Sequence, residues 1–149
     1  MYNDTVTVFN RYVDSLKNTI WHPHVLSGVN LAIDKSVVVS EYGETSKDNA
    51  VLNVAYKKVN GVVMVGEKPY LSPKNWERQT NDMLPKTITF SSESTQFDFF
   101  MLGDYGSEEP ILDENGDFYS EMKKDYDYVF AITLVAMLKN IPHFEITGK

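Results

Sequence analysis

The chain has 149 residues, of which 42% are hydrophobic and 13% aromatic, and it contains no cysteine. Fourteen basic and 21 acidic side chains give a net charge of −7, which disfavours free nucleic acid as a ligand because an acidic surface repels phosphate. The absence of Cys excludes disulfides, thiolate zinc sites and cysteine nucleophiles, and it suits a reducing cytoplasm. A single domain, residues 1–149, is expected, because a chain of this length buries roughly 70% of its unfolded surface around one core.

The first third of the chain favours strands. Alternating Thr and Val predict a strand that begins at Thr5, followed by a short helix within Phe9 to Leu16. Two further strands are predicted at SGVNLAI and SVVVSEY, because both stretches are rich in β-branched residues. The polar stretch from Gly43 to Asn49 predicts a loop.

The middle of the chain contains the clearest local signals. Asn60-Gly61 predicts a type I′ turn, so that AVLNVAYKKVNGVVMVG forms an antiparallel hairpin. Ser72 as an N-cap and Pro73 at the first helical position then predict a short helix over Lys74 to Met83. Pro85 is expected to stop this helix.

The second half is expected to continue the sheet. KTITFSS and QFDFFML are strand-like, and the second would place Phe97 and Phe99 on one face. The remaining elements are predicted as an acidic loop at 103–118, a helix around 120–126, a strand at 128–138, a turn at 140–142 and a strand at 143–147. The whole pattern predicts a mainly β domain (a β-rich α+β chain), an antiparallel barrel or sandwich with one or two short helices.

The histidines are the first candidates for site chemistry. His22 and His24 would share one face of a strand, and neutral imidazole is a common metal ligand. His143 is the one remaining histidine, and neither a carboxylate nor a cysteine stands at a supporting spacing. The pair is therefore interpreted as structural, and neither a metal nor another cofactor is predicted.

The acidic residues give no specific site either. DENGD, from Asp113 to Asp117, resembles a calcium loop, but the EF-hand pattern then requires Gly and Glu where Phe118 and Lys124 stand. Adjacent carboxylates such as Glu108 and Glu109 are interpreted as a solvated acidic loop. No nucleophile elbow and no phosphate-binding glycine motif occurs, so no catalytic residue is predicted.

Aromatic residues are the better candidates for binding. Core filling explains most of them, but Tyr70 and Trp76 flank LSPK near the start of the predicted helix and are candidate interface anchors. Phe144 and Ile146 complete the set of possible interface residues. In the last hairpin these two apolar side chains are also expected to turn inward.

Three stretches together carry a family resemblance. The start MYNDTVTVFNRY, the central YLSPKNW and the final DYDYVFAITLVAMLKNIPHFEITGK resemble small uncharacterised phage and prophage proteins from Gram-positive bacteria. The chain differs from that pattern in VLNVAYKK, where relatives tend to have an Ile-Pro step, and in the long acidic segment after Leu102.

The resemblance implies a non-enzymatic virion-assembly protein. It suggests a head-tail junction adaptor, a minor capsid or tail-associated protein, or a tail-terminator-like component that acts as a homo-oligomer with phage neck or tail proteins. Such a protein would occupy the bacterial cytoplasm during assembly and then the virion, and it would not enter a membrane. The longest apolar run, Tyr128 to Leu138, is indeed far shorter than the ~20 residues of a membrane helix.

Two other functions remain open from the sequence. One is a small-ligand or carbohydrate-binding β module that uses surface aromatics as a stacking platform. The other is a hydrolase whose carboxylates converge only in the folded chain.

Overall fold

The computed structural model describes the backbone of residues 2–40 and 43–149 and the side chains of residues 2–34 and 49–149. Its ten strands are β1 (Asp4–Val13), β2 (Thr19–Ser40), β3 (Gly43–Ala55), β4 (Lys57–Val59), β5 (Val62–Val65), β6 (Lys68–Pro69), β7 (Phe99–Leu102), β8 (Ile111–Asp113), β9 (Val129–Leu138) and β10 (His143–Gly148). Two short α-helices, α1 (Pro73–Glu77) and α2 (Phe118–Asp125), and a 3₁₀ helix (Leu84–Lys86) complete the described elements.

Six antiparallel strands close into a barrel. Their order is β1-β7-β9-β10-β3-β2, and β2 pairs with β1 to complete the ring. The short strand β8 extends the barrel sheet beside Thr19–Trp21, and β4, β5 and β6 form a separate small sheet. The expected mainly β fold, with an antiparallel barrel and two short helices, is confirmed.

The barrel interior is apolar because its strands alternate. Val6 and Val8 on β1 face inward, and so do their cross-strand partners Leu26, His24 and Phe100. Every barrel strand contributes to this interior core, and Ile88 and Phe90 join it from the segment that precedes β7. Burial of such side chains stabilises the fold by about 1.5–3 kcal/mol each.

A second apolar cluster lies on the outer face of the same strands. Phe9 and Phe99, which are cross-strand partners, stack at 4.6 Å between ring centroids, and Trp21 meets Phe99 edge to face. Met122 and Phe118 of α2 cover this cluster. The predicted sharing of one face by Phe97 and Phe99 is confirmed, because both belong to this cluster.

Strands β2 and β3 extend beyond the barrel as a two-stranded ribbon. Residues 34–40 of β2 pair with residues 43–49 of β3, and within the described chain these two segments pair only with each other. The predicted loop at Gly43–Asn49 is therefore wrong, because these residues belong to β3. The two strands predicted from SGVNLAI and SVVVSEY are one continuous strand; the last two residues of the second stretch lie outside the described residues.

Other boundaries differ from the sequence-based expectation. No helix follows β1 within Phe9–Leu16, because β1 continues to Val13 and a tight turn leads into β2. The helix α1 begins at Pro73 as expected but ends at Glu77, where the Gln79 side chain donates to Trp76 O at 3.0 Å. Residues 86–92 form no strand, although Ile88 makes an isolated bridge to Tyr70.

The predicted hairpin around Asn60-Gly61 is shorter than expected, because Lys57–Val59 pair with Val62–Met64 whereas Ala50–Ala55 belong to β3 and pair with β10. Other local signals in the rest of the chain agree with the structure. Asn60 and Gly61 have φ of 52° and 80°, which confirms the type I′ turn between β4 and β5. The last hairpin is confirmed as β9 and β10, and α2 confirms the helix predicted around 120–126. The acidic segment 103–118 is mostly irregular but contains β8.

Candidate functional site

Two buried histidines lie side by side in the barrel interior. His22 and His24 are two residues apart on β2, so both face inward, opposite Asn10 and Val8 of β1. A strand that contains Pro23 is tolerated here because the other edge of β2 pairs with β8 only to Trp21 and with β3 only from Asn30. The predicted common face of the two histidines is confirmed.

His24 forms the inner end of a polar chain. Its Nδ1 lies 2.8 Å from Nζ of Lys68, and the same Nζ makes an ion pair with Oε2 of Glu108 at 2.9 Å. Glu108 Oε2 also accepts the backbone N–H of Val25 at 2.8 Å. Burial lowers the pKa of His24 to about 2, with further lowering by Lys68 and His22, so the ring is neutral and Nδ1 accepts from the ammonium group.

His22 lies in an aromatic environment. Its ring meets Trp76 and Tyr12 edge to face, at centroid distances of 5.6 and 6.3 Å. Burial lowers the pKa of His22 to about 4. Neither ring nitrogen of His22, nor Nε2 of His24, has a hydrogen-bond partner within the described residues.

Within the described residues, no third ligand joins this histidine pair. His143 lies at the start of β10, where its Nδ1 is 2.6 Å from Ile141 O, and it does not join the buried pair. In the described part of the chain, no group of three or more His, Asp or Glu is placed to hold a metal ion. The ammonium group of Lys68 beside His24 would moreover repel a cation.

A buried carboxylate organises the neighbouring segment. Asp98 accepts three hydrogen bonds, from the backbone N–H of Arg11 at 2.8 Å, from Asn10 Nδ2 at 2.9 Å and from the backbone N–H of Ser91 at 2.9 Å. Burial raises the pKa of Asp98 to about 7, and these bonds oppose the increase. Asn10 also bonds Thr89 through both backbone groups, so this network holds residues 89–98 against β1.

Three of the four candidate interface residues lie in the core. Trp76 is buried and donates its indole N–H to Thr87 O at 3.2 Å, and Phe144 and Ile146 face the barrel interior as expected for the last hairpin. Tyr70 is half-buried, with its ring 4.6 Å from that of Phe144. These contacts give the four side chains a role within this chain, and their contact with a partner stays a prediction.

The DENGD segment forms a helix-capping turn. Asp113 Oδ1 accepts the N–H groups of Asp117 and Phe118, and its Oδ2 accepts the indole N–H of Trp21 at 3.1 Å. Gly116 takes a φ of +74°, as a turn residue does. The carboxylate that would open a calcium loop is thus already engaged by the protein.

A surface that the sequence did not indicate lies where two hairpins meet. Tyr56 precedes β4 and donates its hydroxyl to Leu138 O at 2.9 Å and its backbone N–H to Pro142 O at 3.3 Å. The β4–β5 and β9–β10 hairpins are therefore adjacent. We define the basic–apolar corner by eight of the exposed side chains of these hairpins, the basic and aliphatic ones: Lys57, Lys58, Val59, Val62, Leu134, Leu138, Lys139 and Ile141.

A contrasting surface lies at the other end of β9. Leu102 donates its backbone N–H to Tyr128 O at 3.0 Å, which places the end of β7 beside the residues that precede β9. We define the acidic–aromatic end by five exposed residues: Leu102, Asp125, Tyr126, Asp127 and Tyr128. Periodicity could not have found the basic–apolar corner, because it combines two hairpins that are distant in sequence, and it could not have placed Leu102 beside residues 125–128.

The comparisons with known proteins give one match. No curated protein and no solved structure matches the chain. In the described residues, no helix is long and apolar enough to cross a membrane. A family model covers residues 1–149, and the chain therefore belongs to DUF6751, a family of unknown function.

Proposed function

We propose that the protein is a non-enzymatic structural component of a phage or prophage particle. In this proposal it acts as an oligomer at the head-tail junction, as an adaptor or tail-terminator-like protein, and it meets phage neck or tail proteins. It would assemble in the bacterial cytoplasm and remain in the virion. The resemblance of three stretches of the sequence suggests the phage context, and the ribbon is the structural observation that carries the proposal.

The ribbon offers main-chain hydrogen bonds that the barrel does not. A closed barrel has no free strand edges, whereas residues 34–40 and 43–49 each pair on one side only within the described chain. Such edges are templates on which a strand of a partner can add. The geometry therefore favours association through the ribbon.

The length of the ribbon strengthens this argument. Seven residue pairs extend past the last pairing with β10, from Asp34 with Asn49 to Ser40 with Gly43. A two-stranded hairpin is marginally stable in water by itself, and a third strand or a packing surface stabilises it. A neighbouring subunit in a particle would supply that third strand.

No specific observation favours the carbohydrate-binding alternative. Stacking on a sugar requires exposed aromatic rings beside a cleft, but Trp21 and Trp76 are both buried, and the exposed rings of Tyr126 and Tyr128 do not line the cleft between β2 and the small sheet. This cleft of about 370 Å³ is lined by aliphatic, glycine and charged residues, without an aromatic ring. The ribbon therefore supports assembly better than the cleft supports ligand binding.

A shortened ribbon tests the proposal. Residues 36–47 would be replaced by Asn-Gly, a two-residue turn that joins the paired residues Lys35 and Asp48. The wild-type and shortened genes would be placed separately in the phage that encodes the protein, and purified particles would be analysed by mass spectrometry. Circular dichroism of each purified protein would serve as the folding control.

We expect wild-type protein in the particles at a fixed ratio to the capsid protein. The shortened protein should fold, with an unchanged barrel signal, but should be absent from the particles. Particles that lack the wild-type protein would refute the proposed function. Equal incorporation of the shortened protein would show that the ribbon is not needed for assembly into the particle.

A further inference from the structure

We propose that the basic–apolar corner binds the acidic–aromatic end of a second copy of the chain in a head-to-tail contact. This inference rests on the proposed function, because it names the surfaces through which an oligomer would form. It concerns the barrel and not the ribbon, so the two can be tested separately.

The corner has the composition of a binding surface. Leu134, Leu138 and Ile141 are 60%, 39% and 76% exposed, and they come from one hairpin. Val59 and Val62, cross-strand partners at the adjacent turn, are also exposed. Exposed apolar side chains that cluster in this way are typical of interaction sites, whereas isolated ones are common on any surface.

The outer sheet face beside the corner is poor in charge. Leu134, Ala136 and Leu138 pair with Thr147, Glu145 and His143 of β10, which share the outward face. These pair in turn with Val51, Asn53 and Ala55 of β3. Glu145 is the one acidic residue among these nine, and the centres of interfaces are depleted of charged residues in the same way.

The lysines of the basic–apolar corner favour an acidic partner surface. Lys57, Lys58 and Lys139 are exposed, and within the described residues none of them forms an ion pair. Residues 103–128 carry nine acidic and two basic side chains, whereas the rest of the chain carries twelve of each sign. The corner is therefore attracted to the acidic segment of another copy.

The acidic–aromatic end offers the corner two carboxylates and exposed apolar area. The two basic residues of the acidic segment, Lys123 and Lys124, precede Asp125 on α2, and Nζ of Lys123 lies over the ring of Tyr119 at 5.9 Å. Asp125 and Asp127 flank Tyr126, which is 43% exposed, and Leu102 and Tyr128 add further apolar area. Aromatic residues are enriched at interfaces because they bury much apolar area at a small entropic cost. One chain thus carries both halves of a matching pair.

The two surfaces lie too far apart to meet within one molecule. The acidic–aromatic end precedes Val129 and the corner begins on β9 at Leu134, so the first five residues of β9 separate the two surfaces by about 20 Å at their nearest point. A contact between them must join different copies, and a pair of copies then leaves one corner and one acidic–aromatic end unoccupied. Such a heterologous contact forms a ring when the rotation closes and a filament when it does not.

Charge reversal on each surface tests this contact. Lys57→Glu with Lys58→Glu makes the corner acidic, and Asp125→Lys with Asp127→Lys makes the other end basic. A matched control, Lys17→Glu with Lys74→Glu, changes the net charge as much as the corner variant does at exposed positions outside both surfaces. The mass of each protein would be measured by size-exclusion chromatography with light scattering over a range of concentrations and two salt concentrations.

We expect wild-type protein and the Lys17/Lys74 control to associate, more weakly at high salt. Each reversed variant alone should have a dissociation constant raised at least about tenfold. An equimolar mixture of the two reversed variants should associate like the wild type, because each then meets a surface of opposite charge. A merely structural effect of the substitutions would not produce this recovery.

Three results would overturn the inference. They are a wild-type protein that stays monomeric at every concentration, association that the reversals leave unchanged, and a mixture that does not recover. None of these results tests whether the protein is part of a phage particle. The particle experiment tests that separately, with the wild-type and the ribbon-shortened protein. The ribbon-shortened protein should still associate through the corner, and its incorporation into particles is a separate measurement.

Discussion

Single buried residues make the stability of this barrel depend on pH. Burial lowers the pKa of His22 to about 4 and that of His24 to about 2, whereas a histidine in the unfolded chain titrates near pH 6.5. Below pH 6.5 the unfolded state therefore binds more protons than the folded state. The free energy of unfolding falls as pH decreases from about 6.5 towards 4, by about 1.4 kcal/mol per pH unit for each histidine.

Asp98 acts in the opposite direction. Burial raises its pKa to about 7, from the value of 3.8 that the unfolded chain retains. As pH falls, the folded state binds this proton at a higher pH than the unfolded state does. Asp98 therefore raises the free energy of unfolding between about pH 7 and 4, and this increase offsets the decrease that one histidine causes. Lys68, which contacts His24, and Glu108, which makes an ion pair with Lys68, are charged groups beside this imidazole.

Replacing His22 by Leu should therefore weaken the acid sensitivity. The ring nitrogens of His22 have no partners in the described chain, and its neighbours are Tyr12 and Trp76, so an apolar side chain is tolerated at neutral pH. We expect the pH slope of the unfolding free energy below pH 6.5 to decrease by about 1.4 kcal/mol per unit. Urea unfolding at several pH values measures it.

A variant at the surface histidine controls this measurement. His143→Gln removes one histidine outside the barrel interior and is the matched comparison for His22→Leu. If His22→Leu has the same slope as the wild type, His22 is not held neutral by burial.

Gly148 is a residue whose importance only the structure reveals. A Cβ added there would lie 2.8 Å from Cβ of Phe130 and 2.9 Å from ring atoms of Phe100, two residues of the interior core. Because a packed core cannot absorb the extra methyl group, Gly148→Ala should destabilise the protein by about 1–3 kcal/mol. Denaturant unfolding measures the change, and Thr147→Ala, on the outer face, should cost much less. Equal costs would contradict the close approach at Gly148.

At the scale of elements, β10 is a central strand of the barrel and not a loose end. It pairs with β9 on one side and with β3 on the other, and beyond it Lys149 exchanges two backbone hydrogen bonds with Ala131. Removal of residues 144–149 should abolish cooperative folding, because it opens the barrel and removes Phe144 and Ile146, worth about 1.5–3 kcal/mol each. Thermal melting by circular dichroism would show this loss. An unchanged melting temperature would contradict the structure of the terminus.

Local chemistry explains which elements the sequence predicts well. The turn at Asn60-Gly61 needs positive φ at both residues, and Pro73 has the fixed φ of a first helical position, so neighbouring residues alone specify both features. The alternation of Phe144 and Ile146 likewise identified their inward face. Each of these predictions depends on a few adjacent residues.

The long strand β2 could not be predicted in the same way. Pro23 and Gly28 suggest breaks, yet Pro23 lies where one edge of β2 is unpaired in the described structure. Gly28, with φ of +68°, lies at the register shift within the β1–β2 pairing, between Ser27 and Val29. The polar residues 43–49 belong to a strand because β2 provides the pairing. Tertiary pairing overrides local propensity at these positions.

At the scale of the whole molecule, the candidate sites arise from contacts between distant segments. The shared face of His22 and His24 follows from their spacing, but Lys68 and Glu108 reach His24 from 44 and 84 residues away. The basic–apolar corner likewise joins two hairpins that Tyr56 connects. No pattern of neighbouring residues predicts such assemblies, because the topology alone brings them together.

The two tryptophans report on two different parts of the buried core. Trp21 belongs to the outer cluster beneath α2, and Trp76 lies beside His22 at the barrel interior. The outer residues Phe9 and Phe99 alternate with the inner residues Val8 and Phe100 on the same strands, β1 and β7. Because one set of strands separates the clusters, neither can lose its packing while the other remains intact.

Single-tryptophan variants test this cooperativity. Trp76→Phe leaves Trp21 as the fluorescent reporter, and Trp21→Phe leaves Trp76. Each substitution removes one indole hydrogen bond, to Thr87 O or to Asp113, and lowers stability, so the comparison is made within each variant. We expect the urea midpoint from fluorescence to coincide with that from circular dichroism in both proteins, as a single cooperative domain requires. Separate midpoints in the Trp76→Phe protein would mean that the outer cluster and α2 unfold independently, and the chain would then contain two folding units.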